Sequence, residues 1–295
     1  MPELPEVEAL RRGLQPCLLG NQILNIKVLK PKLVSSRSNK REVDEAKVAE
    51  FIGGLEGETF KSIYRRAKNL VFYFESGKIM LVHLKMTGQM VYKQGSTQFW
   101  AGHPIELSDR QLPNKHSHII FELAKGHLFY NDTRMFGYCL YFKNDDILKE
   151  HFAKLGREPL DPEFSLQYLQ ECLTKSKRSI KLMLLEQKIV VGLGNIYADE
   201  VCFAAGILPS RSCNSLSKDE IVKLYQAIQN IILKAIAEGG SSVANYLLAD
   251  GAKGNYARYH KVYLKGGTKC QNCGNILMKT KIAQRTTVYC LKCQK

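Results

Sequence analysis

The residues best placed to do chemistry stand at the start of the chain, Met1-Pro2-Glu3-Leu4-Pro5-Glu6-Val7-Glu8. A small residue in the second position favours removal of the initiator Met, which would expose the secondary amine of Pro2 beside the Glu3 carboxylate. An α-amino group titrates at about 7.7–8.0 and a lysine at about 10.4, so roughly a tenth of such an amine is unprotonated at neutral pH, against well under a thousandth of a lysine. An unprotonated secondary amine that attacks a sugar or carbonyl carbon yields an iminium, the electron sink a lysine Schiff base supplies. Glu3 would handle protons beside it. The same residues also suit a helix start, with Pro5 in the first turn, Glu6 and Glu8 complementing the helix dipole, and Val7, Leu10 and Leu14 on one face. The two readings are compatible, because a helix start would hold a reactive terminus rigidly. With Met1 attached, the Pro2 nitrogen is an amide and inert.

A second constellation closes the chain. Cys270 and Cys273 are separated by two residues, as are Cys290 and Cys293, with sixteen residues between the pairs. That spacing suits four thiolates around a tetrahedral Zn²⁺ in a zinc ribbon, and four Cys leave no open coordination position, so the metal is structural. From Lys265 to the end there are seven Lys or Arg and no acidic residue. A hairpin so charged is a phosphate-binding device. A weaker signal is Gly192-Leu193-Gly194-Asn195, where paired glycines before a helix would offer backbone N–H groups to an anion; helix packing explains glycines equally well.

The 295 residues carry 43 Lys and Arg against 28 Asp and Glu, a formal charge of +15. Such a balance points to a polyanionic partner, most commonly nucleic acid. No basic amphipathic helix argues for a membrane surface, no apolar run approaches the ~18 residues of a span, and no basic-then-apolar leader opens the sequence. The expectation is a cytoplasmic, membrane-free protein. Of nine Cys, the five outside the closing cluster are scattered and read as buried thiols of a reduced compartment.

The elements that must position these residues divide the chain at about residue 145. Before it, a first helix stopping near Gly20 precedes short alternating strands at Ile23–Leu29, within Phe60–Phe74, and at Ile79–Leu84, Ile119–Leu123, His127–Tyr130 and Tyr138–Phe142, the pattern of a sandwich. Residues 34–50 read as a loop or short helix, and 92–116 as a long polar loop. Beyond it, a linker at Pro159–Pro162 is followed by a helix opening at Asp161-Pro162. Helical periodicity then covers Phe164–Leu173, Ser179–Gln187, Tyr197–Ala205 and Asp219–Glu238, ending at Gly239-Gly240. A Gly-rich loop spans Asp250–Tyr256.

Taken in order, Pro2 to Glu8, Arg66-Ala67-Lys68, His83-Leu84-Lys85-Met86-Thr87-Gly88, Asp132-Thr133-Arg134-Met135-Phe136-Gly137, Gly192 to Glu200, and Gln284-Arg285 inside the Cys cluster resemble the formamidopyrimidine-DNA glycosylase family along nearly the whole length. The sibling endonuclease VIII family resembles Met-Pro-Glu-Gly-Pro-Glu at its start, and Leu4 favours the former. The resemblance implies an α+β protein of two domains that clamp DNA: an N-terminal β-sandwich with flanking helices, then a helix–two-turn–helix domain with a zinc-ribbon hairpin. The expected divisions are 1–145, 146–260 and 261–295. It also implies Pro2 as nucleophile, Glu3 as acid–base residue and Glu6 as the group that positions the terminus. Lys68, His83, Asn195 and Arg285 would hold phosphates flanking the lesion, and Lys181 would lie near the damaged base. Met86, Arg134 and Phe136 would enter the duplex, and Tyr256 would belong to the DNA-contacting loop over the base. Without the resemblance, His83, Met86 and Phe136 would read as core residues.

The sequence departs from the family at Ala257-Arg258-Tyr259-His260, where a Gln is usual, and at Leu264-Lys265, where Gly-Arg is usual, which leaves substrate preference open. The expected function is base-excision repair of oxidised purines, 8-oxoguanine and formamidopyrimidines, with strand cleavage by β,δ-elimination. The expected partner is damaged duplex DNA, the cofactor one structural zinc, and the state a monomer. Two alternatives stand: an endonuclease VIII-type enzyme for oxidised pyrimidines, and a non-catalytic zinc-ribbon DNA-binding protein.

Overall fold

A computed structural model describes residues 1–35, 43–102, 111–241 and 254–295. The chain forms two compact units, Met1–Ala153 with Gly239–Asn255, and Lys154–Glu238 with Tyr256–Lys295.

In the first unit, helix α1 (Leu4–Leu18) precedes strand β1 (Ile23–Val28), and a short helix α2 (Lys32–Ser35) and helix α3 (Glu45–Leu55) follow. The strands continue as β2 (Phe60–Arg66), β3 (Asn69–Phe74), β4 (Ile79–His83), β5 (Gly88–Gln94), β6 (Thr97–Gly102), β7 (Ser117–Leu123), β8 (His127–Asp132) and β9 (Tyr138–Phe142), and helix α4 (Asp145–Phe152) closes the run. They build two antiparallel sheets, ordered β1-β7-β8-β5-β6 and β2-β3-β4-β9. One core takes Phe72, Met80 and Val82 from the second sheet, Met90, Phe121 and Tyr130 from the first, and Val7, Leu10 and Leu14 from α1. The apolar face of α1 is thus buried in the sandwich, and this fixes where its N-terminal residues emerge.

Three elements depart from expectation. The presumed loop over 92–116 begins as a hairpin, β5 with β6, paired from Gln89↔Gly102 to Gln94↔Thr97 around Gly95 at φ +57°. The edge position of β6 allows polar residues there, which masked the alternation; the expected loop residues 103–110 lie outside the described residues. Helix α3 is a full helix because the Asp44 side chain accepts the Lys47 N–H at 3.2 Å and Val48, Phe51 and Leu55 form one buried stripe. Helix α4, capped by Asn144 accepting from the Ile147 N–H at 3.2 Å, anchors Leu148 among Val71, Ile79 and Phe142. The first unit takes in helix α4 and runs to Ala153.

The second unit holds helices α5 (Leu166–Thr174), α6 (Ile180–Leu185), α7 (Asn195–Ala204) and α8 (Lys218–Ala237), then the hairpin β10 (Met278–Ile282) and β11 (Arg285–Tyr289). Helix α5 opens at Ser165, whose hydroxyl accepts from the Tyr168 N–H at 3.1 Å, not at Asp161-Pro162. Helix α8 has a complete capping box, with the Ser217 N–H donating to Glu220 at 2.8 Å and the Glu220 N–H to Ser217 at 3.3 Å. The ribbon is not a separate body: Phe203 of α7 shares a core with Val262, Leu277, Val288, Cys270 and Cys290. The Gln294 side chain accepts from the Cys290 N–H and donates to the Ile207 carbonyl, both at 2.8 Å, clipping the chain end to this core.

The segment before the ribbon is held by a buried carboxylate. Glu200 accepts the backbone N–H groups of Lys261, Val262 and Tyr263 at 2.8, 3.0 and 2.8 Å. His260 beside it is 4% exposed, and burial, with Lys265 adding repulsion, lowers its pKa to about 4. An unfolded histidine titrates at about 6.5, so between these values the unfolded chain binds the extra proton. The contribution of neutral His260 is therefore fully present above about pH 6.5 and lost as the pH falls towards 4, a difference of up to roughly 3 kcal/mol. Thermal melts at pH 7.5 and 4.5 should show a smaller acid loss in His260→Gln than in the parent; an equal loss in both would exclude His260 as the titrating group.

Candidate active site and nucleic-acid interface

In the first unit, Pro2, Glu3 and Glu6 are all buried at the head of α1. The Glu6 carboxylate accepts the Glu3 backbone N–H at 2.8 Å through one oxygen and the Ser241 N–H at 2.6 Å through the other. Gly240 approaches so closely that a Cβ there would lie 2.6 Å from a Glu6 oxygen, at a φ of +85° that an L-residue resists. Glu6 thus ties the Pro2-Glu3 terminus to a segment far away in sequence. The neighbouring Glu8 is occupied by Arg11 and Arg12, each at 2.9 Å, and Arg65 at 3.5 Å; burial pushes its pKa up but the guanidinium groups outweigh it and lower it. Sequence reasoning read Gly239-Gly240 only as a helix end and assigned no role to Ser241.

Lys68 and His83 lie close enough to influence one another. His83 Nδ1 accepts the Lys85 backbone N–H at 3.0 Å, so the neutral ring carries its proton on Nε2. Burial, with Lys85 and Lys68 adding, holds its pKa well below the usual histidine value, which makes it a neutral donor suited to a phosphate oxygen. Its Tyr138 neighbour is 5.4 Å away between ring centres.

Met86 and Phe136 are exposed at 37% and 40%, despite their apolar nature, and Arg134 is exposed with them. The Arg134 guanidinium lies over the Phe136 ring, 4.7 Å from its centre. Lys85 and Met135, beside these residues, have left-handed backbones at φ +49° and +52°. Asp132, fully buried, joins the two turns: Oδ1 accepts from the Thr87 hydroxyl and from the Arg134 N–H at 3.2 Å, and Oδ2 from the Gly137 N–H at 2.8 Å.

In the second unit, two of the expected site residues, Lys181 and Tyr256, are buried. Lys181 is 0% exposed, and its ammonium donates to Asp199 at 2.6 Å, the Thr286 carbonyl at 2.9 Å and the Thr287 hydroxyl at 2.8 Å. An ammonium has three protons, and all three are engaged in this structure, where Lys181 braces β11. Asp199 also accepts the Val288 N–H at 3.1 Å, and its burial raises its pKa, to about 6, against the pull of Lys181. Tyr256 is 4% exposed and packs on Tyr197, Tyr259 and His260. The loop residues 250–253 lie outside the described residues. Gly192 likewise commits its N–H to Gln187 at 2.7 Å rather than to an anion.

Asn195 donates to the same Thr286 carbonyl at 3.0 Å. Two donors thus converge on the residue after Arg285, which is exposed at the hairpin tip. The tip residues Ala283 and Gln284 both have positive φ, +48° and +60°, the two-residue turn that favours Asn-Gly.

The four ribbon thiols lie within 4.8 Å of one another, with Cys270–Cys293 at 3.9 Å and Cys273–Cys290 at 3.4 Å. A tetrahedron with bonds of about 2.3 Å sets sulfurs roughly 3.8 Å apart, so Cys270, Cys273, Cys290 and Cys293 fit one structural Zn²⁺, which would cross-link the ribbon without an open position for chemistry. No helix among the described residues is long and apolar enough to cross a membrane.

A β-sandwich with a buried Pro-Glu terminus, joined to a helical unit with a zinc ribbon, is the build of a DNA base-excision glycosylase. The formamidopyrimidine-DNA glycosylase N-terminal domain matches residues 1–139, the H2TH domain of that glycosylase residues 155–246, and the zinc finger found in FPG and IleRS residues 267–295. Formamidopyrimidine-DNA glycosylases of Desulfitobacterium hafniense and Bacillus cereus are each 39% identical, over 100% of this chain and 100% and 99% of theirs. Among solved structures, a Lactococcus lactis FPG variant with Fapy-dG-containing DNA aligns with a TM-score of 0.86 at 34% identity, covering 100% of both chains. The L. lactis complex with abasic-site DNA gives 0.85 at 34% identity and 99% coverage of both chains. A third, with DNA containing an oxidised pyrimidine, gives 0.84 at 35% and 100% of both. The chain belongs to the formamidopyrimidine-DNA glycosylase family.

Metal analysis should find one zinc per chain. Cys290→Ser should release it and weaken DNA binding, because a ribbon rich in Lys and Arg has little reason to fold without metal. Fully active protein without zinc would end this assignment.

Proposed function

We propose that the protein removes oxidised purines from duplex DNA, 8-oxoguanine and formamidopyrimidines, and then cleaves the strand at the resulting site. The observation that carries this reading is the Glu6 bridge, which holds the Pro2-Glu3 terminus rigidly at the head of α1. The damaged base must first leave the stack, at a cost of a few kcal/mol that is smaller at a lesion. The lone pair of the free Pro2 amine forms a bond to C1′ as the bond from C1′ to the base breaks, and the N–H proton that the amine sheds leaves with the base. Opening of the sugar ring, with Glu3 supplying the proton to the ring oxygen, gives the iminium. The iminium acidifies the neighbouring hydrogens, so the 3′ phosphate and then the 5′ phosphate are eliminated. Lys68, the neutral His83 donor, Asn195 and Arg285 would hold backbone phosphates through this sequence.

Protein with a free Pro2 should be trapped covalently on 8-oxoguanine duplex by borohydride, and a retained Met1 or an acetylated Pro2 should abolish the adduct. An undiminished adduct on a blocked terminus would move the nucleophile to a lysine. An oxidised-pyrimidine duplex in the same assay tests the second reading, which the L. lactis complex with such DNA motivates.

Met86, Arg134 and Phe136 would fill the gap left by the extruded base, apolar wedges offsetting lost stacking. Arg134 can read the orphaned partner, since its guanidinium offers only donors. Cytosine presents two adjacent acceptors, its ring nitrogen and O2; adenine presents an amino donor beside its acceptor, a mismatch costing roughly 1–3 kcal/mol. Excision of 8-oxoguanine should be faster opposite cytosine than opposite adenine, and Arg134→Ala should lose most of that preference. Equal preference in both proteins would rule Arg134 out as the reader.

A further inference from the structure

We propose that Asp132 is the positioning residue for opposite-base reading: its buried carboxylate fuses the Met86 turn and the Arg134–Phe136 turn into one rigid wedge. The inference rests on the proposed function, and deepens it by naming what sets the reader's geometry.

The two turns arise from different places in the chain. The first joins β4 to β5, the second β8 to β9. Each is tight enough to need support. The Gly88 N–H donates to the Leu84 carbonyl at 2.8 Å, and a Cβ on Gly88 would lie 2.4 Å from that oxygen. A Cβ on Gly137 would meet the buried Tyr130 hydroxyl at 1.8 Å. Lys85 and Met135 sit in the left-handed region, which costs a non-glycine residue free energy unless its surroundings hold it there.

Asp132 is what the two turns have in common. It lies at the end of β8, paired with Gly88 at the start of β5. One oxygen takes the Thr87 hydroxyl, adjacent to Met86, together with the Arg134 N–H; the other takes the Gly137 N–H, adjacent to Phe136. The Thr87 oxygen in turn accepts from the Arg134 N–H at 3.1 Å. The Asp132 carbonyl is bonded to the buried His118 ring at 2.8 Å, which fixes the backbone behind the carboxylate. Asp132 does not touch solvent, so it contacts no base itself. It acts through Arg134, whose backbone it holds while Phe136 holds the guanidinium.

Both carboxylate oxygens are needed. In Asp132→Asn, the amide keeps one acceptor and turns two donor hydrogens towards either the Gly137 N–H or the Thr87 and Arg134 donors. Because the Thr87 hydroxyl can also accept, the donor–donor clash falls on the Gly137 or the Arg134 N–H, and the second turn loses one of its two backbone anchors. The wedge would still be present but no longer held at one angle, so a fork reading two adjacent acceptors would lose its aim.

The test measures 8-oxoguanine excision opposite cytosine and opposite adenine, with borohydride trapping on single-stranded abasic DNA, which has no orphaned base. Asp132→Asn should bring the cytosine preference from about ten- to a hundredfold down towards unity, while trapping on the single strand falls far less than excision from duplex. Thr87→Val should lose part of the preference and Thr87→Ser, which keeps the hydroxyl, should retain it. The Thr87 pair decides the matter if Asp132→Asn does not fold. A preference unchanged in Asp132→Asn or in Thr87→Val, or a loss shared equally by duplex and single strand, would overturn the positioning role. A parent protein that excises 8-oxoguanine without any opposite-base preference would remove the reader itself; one that excises none would sink the proposed function first.

Discussion

A carboxylate taken out of water must find hydrogen-bond donors in the protein, or the fold loses several kcal/mol. Among the described residues this constraint is plain at Glu6, Asp132, Asp199 and Glu200, each almost fully buried. In every case the donors include backbone N–H groups from a segment that carries a residue of the candidate site, or that leads to one. Glu6 gathers the Glu3 and Ser241 amides, Asp132 those of Arg134 and Gly137, Asp199 that of Val288, and Glu200 those of Lys261, Val262 and Tyr263. The buried acids are thus fasteners, and the loops between regular elements hold their shape because of them.

The exposed residues follow from the same arrangement. Met86, Arg134, Phe136 and Arg285 could not be held by their own packing, since they stand out in solvent. Each is instead the tip of a short turn whose root is tied to a buried group. At the ribbon tip the root is the Thr286 carbonyl, gripped by both Lys181 and Asn195. Removing one partner of the Lys181–Asp199 pair would strand a charge in the core, which is far more costly than the pair is worth. Such a site separates the residues that would meet DNA from the residues that aim them.

Much of this was legible in the residues alone. The cysteine spacing specifies a metal geometry directly, and alternating apolar residues located the central strands because both sandwich faces demand it. Elements at the periphery were harder. Strand β6 lies at a sheet edge and α3 and α4 present charged outer faces, so their apolar signal is thin. The burial of individual residues was not legible where type and exposure diverge. No pattern in the sequence shows that Lys181 is sealed with three acceptors or that Tyr256 lies in a core. Asp132 stood within a recognised motif, but no spacing rule shows that its carboxylate reaches across to Thr87. Those facts depend on which strands become neighbours, which local sequence does not encode.

The bond between Glu6 and Ser241 spans 235 residues. Chains are made from the N-terminus at about 5–20 residues per second, and domains tend to fold as they emerge. The β-sandwich can therefore assemble early, but the strap that secures its first helix is delivered only after the helices of the second unit have been translated. During that interval the terminal Pro-Glu pair exists without its clamp. A nascent or truncated chain would carry the Pro2-Glu3 pair without the Ser241 contact, so the two distant parts of the first unit are joined only when the polypeptide is nearly complete.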